Sequence, residues 1–423
     1  MRLFVNLSAC LIIMTTTVVN SADWPAFRGP NGDGISQAAQ LLKVWDAQTN
    51  IKWKAKLPEV GNGSPIVSNG RLFVACAKNK GQKRGLYCFD RFTGEQLWVQ
   101  EVKYSKVMPT HKTNNYCGGT PVANGERVVV WHGSAGLYCY DFTGRELWKR
   151  DLGEFRHVWG YGSSPVLYDG KVILHAGPGK EVFMIALDLK SGKTVWRTDE
   201  PISGDGERNE NDKYMGSWST PVIAKVNDKK LIVCSMSTRV NAYAPESGKI
   251  VWSCSGLRGK KGDLAYTSPV IADDICVAMG GFNGPAIGFK MAGQGDITDS
   301  RLWRVTRKIP QRIGSGVYLD GYVYMANASG SLIQCIEPKT GVVRWSERTK
   351  SASFWGSLVY ADGHCYVTDQ RGTTVVFQPN PDKCDVVSLN PLEEQSNSTP
   401  AISDGQIFIR TFKHLYCIEK AGE

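Results

Sequence analysis

The sequence predicts an all-β protein: an eight-bladed β-propeller of four-stranded antiparallel blades, its ring closed by an N-terminal strand. Three observations predict it. A Thr/Ser-Gly turn recurs with tryptophan four residues after the glycine, at Thr93-Gly94, Thr143-Gly144, Ser191-Gly192, Ser247-Gly248 and Thr340-Gly341. A Ser/Thr-Pro pair precedes apolar residues at Ser64-Pro65, Thr120-Pro121, Ser164-Pro165, Thr220-Pro221, Ser268-Pro269 and Thr399-Pro400, with degenerate copies at Ser315-Gly316 and Ser357-Leu358. Those eight marks stand 42 to 56 residues apart. The chain is also turn-rich and aromatic, with 45 glycines, 13 Trp, 16 Tyr and 14 Phe in 423 residues. A period in the forties with glycine turns and aromatics suits one four-stranded blade per repeat.

In chain order, residues 1–22 read as a cleavable export signal. Arg2 supplies a short basic start, Leu3 to Val19 is mostly apolar, and Asn20-Ser21-Ala22 offers a cleavage site. Leu7-Ser8-Ala9-Cys10 resembles a lipoprotein processing box, but too little apolar chain precedes Cys10. Asn6 and Thr15-Thr16-Thr17 make the segment a poor membrane span. Residues 23–49 form an N-terminal extension, and residues 50–423 form one propeller domain. The expected location is periplasmic or extracellular.

The first repeat reads as four strands. Ile66-Val67 forms strand A, Asn69-Gly70 turns, and Arg71 to Ala75 forms strand B. Leu86 to Phe89 is strand C, and Gln96 to Val102, after Thr93-Gly94, is strand D. The last repeat supplies three strands from Asn397 to Ile418 and lacks a tryptophan strand. Asn50 to Leu57, around Trp53, is a strand without a repeat. Adding it outside the last blade closes the ring and removes two open edges.

The recurring tryptophans Trp53, Trp98, Trp148, Trp196, Trp252, Trp303 and Trp345 are expected to pack between blades. A group present in most repeats serves structure, because catalysis needs it once. Cys88, Cys139, Cys335 and Cys417 share one position on strand C, and Cys76, Cys234, Cys276 and Cys365 fall on strand B. Equivalent places in separate blades lie too far apart for a disulfide, so these read as small buried hydrophobes. Cys117 and Cys384 fall outside the scheme. No Cys-x-x-Cys occurs, and no two histidines have helical metal-ligand spacing. The segment Asp205 to Asp212 carries alternating oxygen ligands but no bidentate Glu at the twelfth position, so it reads as a solvated acidic loop.

The pattern Leu-Tyr-Cys-x-Asp-x-x-Thr-Gly-x-x-Leu-Trp, from Leu86 to Trp98 and, one residue shorter, from Leu137 to Trp148, resembles the pyrroloquinoline-quinone (PQQ)-type propeller repeat. The likeness covers roughly residues 50–420. In size the chain is more similar to the BamB-like exported propellers than to the quinoprotein alcohol dehydrogenases. The opening Asp23 to Gly34 also resembles the start of many exported bacterial proteins with this repeat. The dehydrogenases with this repeat use adjacent cysteines, a calcium held by carboxylates and amides, and an aspartate base. This sequence has no Cys-Cys pair and no haem-attachment motif. The resemblance therefore implies a non-catalytic binding or scaffold propeller of the cell envelope, without cofactor. The alternative is a PQQ- and calcium-dependent oxidoreductase with its cofactor in the central channel.

In a propeller the D–A and B–C loops share one face. Asn62, Tyr161, Trp218, Tyr266, Arg312, Trp355 and Asn397 stand just before the Ser/Thr marks, and the long loop after blade 1 ends at Tyr116. These residues are expected to ring the channel mouth as a ligand or partner surface; the alternative is that they cap strands and fill the funnel. The charge of +10 suits anionic envelope components. Expected partners are proteins or envelope components, without nucleic acid. The mature chain is expected to be monomeric and to lack a transmembrane segment.

Overall fold

A computed structural model describes residues 23–201 and 204–420. The expected export signal at 1–22 lies outside them. Eight inner A strands surround a channel: Ile66–Ser68, Val122–Ala123, Val166–Tyr168, Val222–Val226, Val270–Ala272, Val317–Leu319, Val359–Ala361 and Ala401–Ser403. Each begins a meander of antiparallel strands, so the chain is an eight-bladed propeller. Blade 1 runs Ile66–Ser68, Arg71–Lys78, Lys83–Asp90 and Gln96–Lys103. The turn at Asn69-Gly70 has positive φ at both residues, 46° and 71°, the hairpin geometry that matches strand twist.

Blade 8 closes the ring. Its strands Ala401–Ser403, Gln406–Arg410 and His414–Ile418 take Ile51–Lys56 as their outer strand, with Trp53 opposite Cys417. Blade 4 gains a fifth, parallel strand, because Gly295–Asp296 adds to Ile250–Ser255. That insertion replaces the C–D turn of blade 5 and accounts for the irregular spacing before Trp303. Two D–A loops pair with each other as the parallel strands Tyr214–Ser217 and Gly262–Ala265.

The tryptophans join blade to blade. The indole N–H groups of Trp53, Trp98, Trp148, Trp196, Trp303 and Trp345 donate to Arg91, Phe142, Leu189, Pro245, Pro338 and Asn380 carbonyls, at 2.8–3.0 Å. Each acceptor lies in the C–D turn of the next blade. The turn glycine must be there for two reasons: Gly94 has φ +73°, and a Cβ on it would come within 2.6 Å of the Trp53 ring. Trp252 departs from the series. It is buried against Phe289, with ring centroids 5.5 Å apart, but its indole nitrogen has no partner. Blade 7 has Ser388 where the others have tryptophan; Ser388 Oγ bonds the Lys43 carbonyl instead, and Trp45 is buried in the adjoining core.

The strand-C cysteines are explained by register. Cys88, Cys139, Cys335 and Cys417 each face the tryptophan of the neighbouring outer strand, and Ala186, Ala242 and Gly288 do so in other blades. Only a small side chain fits under an indole. All eleven described cysteines are free thiols. Cys117 is buried beside Arg410, and Cys384 is half-buried at the edge of the blade 6–7 core.

Candidate functional site

The Ser/Thr marks form a closed ring at the heart of the channel. The Ser64 N–H donates to Thr120 Oγ1, Thr120 to Ser164 Oγ, and Ser164 to Thr220 Oγ1, at 2.9–3.1 Å. Ser268 Oγ donates to the Thr220 carbonyl at 2.8 Å. The Ser268, Ser315, Ser357 and Thr399 N–H groups then donate to the hydroxyls of Ser315, Ser357, Thr399 and Ser64, at 2.9–3.0 Å. Seven of the eight blades thus satisfy a buried amide with the next blade's hydroxyl, and between blades 4 and 5 a hydroxyl satisfies a carbonyl instead, which is why the repeat keeps Ser or Thr there.

Two residues before each ring position, an extended chain points its side chain the same way, into the channel. Those positions are Asn62, Gly118, Gly162, Trp218, Tyr266, Ile313, Trp355 and Asn397, and all eight line one cavity of about 340 Å³. Five of them are among the expected ring residues. Tyr161 and Arg312 are three residues before their marks, and the alternation turns them away from the channel. Tyr161 is buried against Trp131, with its hydroxyl donating to the Tyr116 carbonyl at 2.9 Å. Tyr104, Tyr116 and Tyr161 surround the buried Arg84 guanidinium at 5.3–5.7 Å. Arg312 is buried on Gln334 at 3.0 Å, and burial lowers its pKa to about 10. Tyr116, Tyr161 and Arg312 therefore fall outside the lining.

The long loops supply what the repeat does not. Trp159 lies between Tyr214 at 4.7 Å and Phe282 at 5.9 Å, the latter nearly parallel at 9°. Trp218 contacts Trp159 at 6.0 Å and Tyr266 at 5.3 Å. These rings form an aromatic wall, with Trp355 on the blade 7 side. The facing wall is an amide network. Asn397 donates to Asn62 Oδ1 at 3.2 Å, Asn62 donates to the Thr113 carbonyl at 2.8 Å, and Asn114 donates to the Trp159 carbonyl at 2.7 Å. No Asp, Glu, Lys, Arg or Cys lines the cavity among the described residues.

The far end is closed by the N-terminal extension. Trp24 exchanges backbone hydrogen bonds with Val67 of blade 1, and the Pro25 carbonyl accepts from Ala123 of blade 2. Arg28 crosses to the Gly316 carbonyl of blade 6, and Gly34 and Ser36 bracket Tyr360 of blade 7. Phe27 thereby becomes part of the cavity lining. Sequence reasoning did not place it. The signal was there: Trp24, Phe27 and Trp45 put three aromatics outside any repeat, a pattern unlike a solvated leader.

A family model described as outer membrane protein assembly factor BamB matches residues 35–108, 82–347 and 295–383. The chain belongs to that family. Among solved structures, BamB from Moraxella catarrhalis is similar at 15% identity, with 88% of this chain and 98% of that one covered and a TM-score of 0.58. A europium-containing methanol dehydrogenase aligns at 11% identity over 93% and 90% of the two chains, with a TM-score of 0.68. Quinohemoprotein alcohol dehydrogenase from Comamonas testosteroni aligns at 12% identity over 95% and 81%, with a TM-score of 0.69. At these identities the likeness is one of fold. No curated protein matches the sequence.

The residues at the channel do not fit the dehydrogenase chemistry of the second reading. A calcium needs several oxygen ligands, carboxylates above all, and a polyanionic quinone needs countercharge. No carboxylate or cation lines the cavity, and no group of three His, Cys, Asp or Glu side chains suited to a metal occurs among the described residues. In the acidic loop, Asp205 Oδ1 accepts the Glu207 and Arg208 N–H groups at 2.7 and 2.5 Å, and Asn209 Oδ1 accepts those of Asn211 and Lys213 at 2.9 and 3.1 Å. These two oxygens are engaged by the loop's own backbone, and Asp212 pairs with Arg208. Among the described residues no helix is long and apolar enough to cross a membrane.

Proposed function

We propose that this protein is an exported, non-catalytic binding propeller of the cell envelope, and that it engages its partner through the face carrying the D–A and B–C loops. The observation that carries this reading is the cavity itself: open at that face, floored at the other end, walled by aromatics and amides, and lined by no carboxylate, lysine or arginine, with His111 its one imidazole. Aromatic side chains at a mouth give large contact area at small entropic cost. The family description, with its outer-membrane assembly role, supports an envelope location and a protein or envelope-component partner. Basic side chains on the same face, among them Lys260, Lys261, Arg307 and Lys308, suit an anionic neighbour. No cofactor is required, and a monomer is expected.

A paired experiment tests the reading. Dye-linked dehydrogenase assays with added PQQ and Ca²⁺ should stay at background for alcohols and aldose sugars. Pull-downs from envelope extract should lose their partners when Trp218→Ala and Trp355→Ala are combined. Cofactor-dependent dye reduction restores the oxidoreductase reading, and unchanged pull-downs move the interface to another face.

A further inference from the structure

The cavity presents a chemistry narrower than a general recognition face. Above the floor formed by the N-terminal extension, a ring of hydroxyls lines it. In seven of the eight ring positions the hydroxyl accepts an N–H, and only the Ser268 hydroxyl donates to a protein acceptor. The others keep an O–H to offer. Higher in the funnel, the indole N–H groups of Trp159 and Trp355, the Tyr266 hydroxyl and the Gln311 side-chain amide line the cavity and make no hydrogen bond to the protein. Aromatic faces therefore stand beside unused neutral donors and acceptors.

The lack of charge selects the ligand. A carboxylate, phosphate or ammonium in this cavity would lose its water and meet no lysine, arginine or carboxylate on the lining, where the one imidazole is the exposed His111, and that is unfavourable. A purely apolar ligand would leave the hydroxyls and amide without partners on one wall. The complementary molecule is uncharged, rich in hydroxyls, and bears flat faces of C–H groups to lie on the negative faces of the rings. A volume of about 340 Å³ is at the small end of ligand pockets, which run roughly 300–1,000 Å³.

We propose that the channel mouth is a binding site for an uncharged saccharide, a short oligosaccharide or the end of a glycan chain. Its sugar rings stack on Trp355, and its hydroxyls meet the Trp159 indole N–H, Gln311, Tyr266 and the Ser/Thr ring. This rests on the binding reading above and names the ligand class for the same face. The basic side chains outside the cavity do not touch the sugar; they belong to the rim.

The test uses the mature protein and three neutral disaccharides: cellobiose, maltose and N,N′-diacetylchitobiose. Saturation-transfer NMR should carry magnetisation from aromatic protons to the ring C–H protons of at least one of them. Calorimetry should then show affinity that changes little between about 0.05 and about 0.5 M salt, because no ion pair is formed. Trp355→Ala should weaken binding by about tenfold or more, equivalent to about 1.4 kcal/mol. Circular dichroism should show this variant folded, since the half-buried indole makes no hydrogen bond to the protein and only its packing is lost. Trp355→Phe should retain part of the affinity, by keeping a stacking face.

Transfer to none of the three sugars overturns the assignment. So does a preference for glucuronate over neutral sugars that fades with salt, which would place binding on the basic rim. If sugars fail while the Trp218→Ala plus Trp355→Ala pair still abolishes partner capture, the saccharide assignment falls and the binding face stands. If both fail, the face falls with it.

Discussion

At the scale of single residues, two kinds of hydrogen bond join neighbouring blades. One runs from each docked indole to the next blade's turn, and the other runs through the Ser/Thr ring. Trp148 combines burial with a 2.9 Å bond to the Leu189 carbonyl, so Trp148→Ala should cost about 3–5 kcal/mol in urea melts. A variant with near-parental stability would remove Trp148 from the packing set. Thr120→Val keeps the side chain's shape but strips the acceptor from the buried Ser64 N–H. Its expected cost is about 1–3 kcal/mol, against little change for Thr120→Ser. Equal stability of the two variants would mean that the ring adds nothing. The repeating Cys and Trp were legible as structural from sequence because they recur. That each Cys faces a Trp was not legible, since it depends on strand register.

At the scale of elements, the N-terminal segment does two jobs that its sequence only half announces. Ile51–Lys56 pairs with His414–Ile418 and covers an edge of blade 8. Residues 23–36 cross the channel floor through bonds to blades 1, 2, 6 and 7. Removing residues 23–57 should therefore unfold or aggregate the protein, by baring a strand edge and opening the floor together. Circular dichroism and light scattering would show it, and an unchanged melting temperature would contradict the closure. The missing strand could be inferred by counting strands per repeat. The floor could not, because an irregular segment leaves no periodic trace and its partners lie up to some hundreds of residues away.

For the whole molecule, burial of neutral histidines sets the acid limit. His132, His157 and His175 are buried, and loss of solvation lowers their pKa to about 3, 4 and 4. In the unfolded chain they take up protons below about 6.5, while in the folded chain they stay neutral until far lower. The unfolded state binds more protons in that window, so stability falls as pH drops from about 6.5 to about 4. Each pKa unit corresponds to about 1.4 kcal/mol, so a loss of several kcal/mol is expected across the three. Urea melts at stepped pH should show the decline, and replacing His157 and His175 with Asn should flatten it. A midpoint independent of pH in this window would mean that these side chains reach water.

Repetition let the sequence by itself determine the architecture: eight Ser/Thr marks, the Gly-to-Trp spacing and one orphan strand fix the blade count and the closure. It also located the channel face, and Asn62, Trp218, Tyr266, Trp355 and Asn397 were identifiable as candidates. Only the tertiary structure decided which neighbours join them. A shift of a single residue in an extended chain reverses the side chain, so Gly162 and Ile313 enter the lining where Tyr161 and Arg312 do not. Trp159, Phe282 and Phe27 come from loops and a leader whose paths follow no period. Their meeting in one uncharged cavity is a property of the closed ring, set by contacts between distant segments rather than by any local pattern.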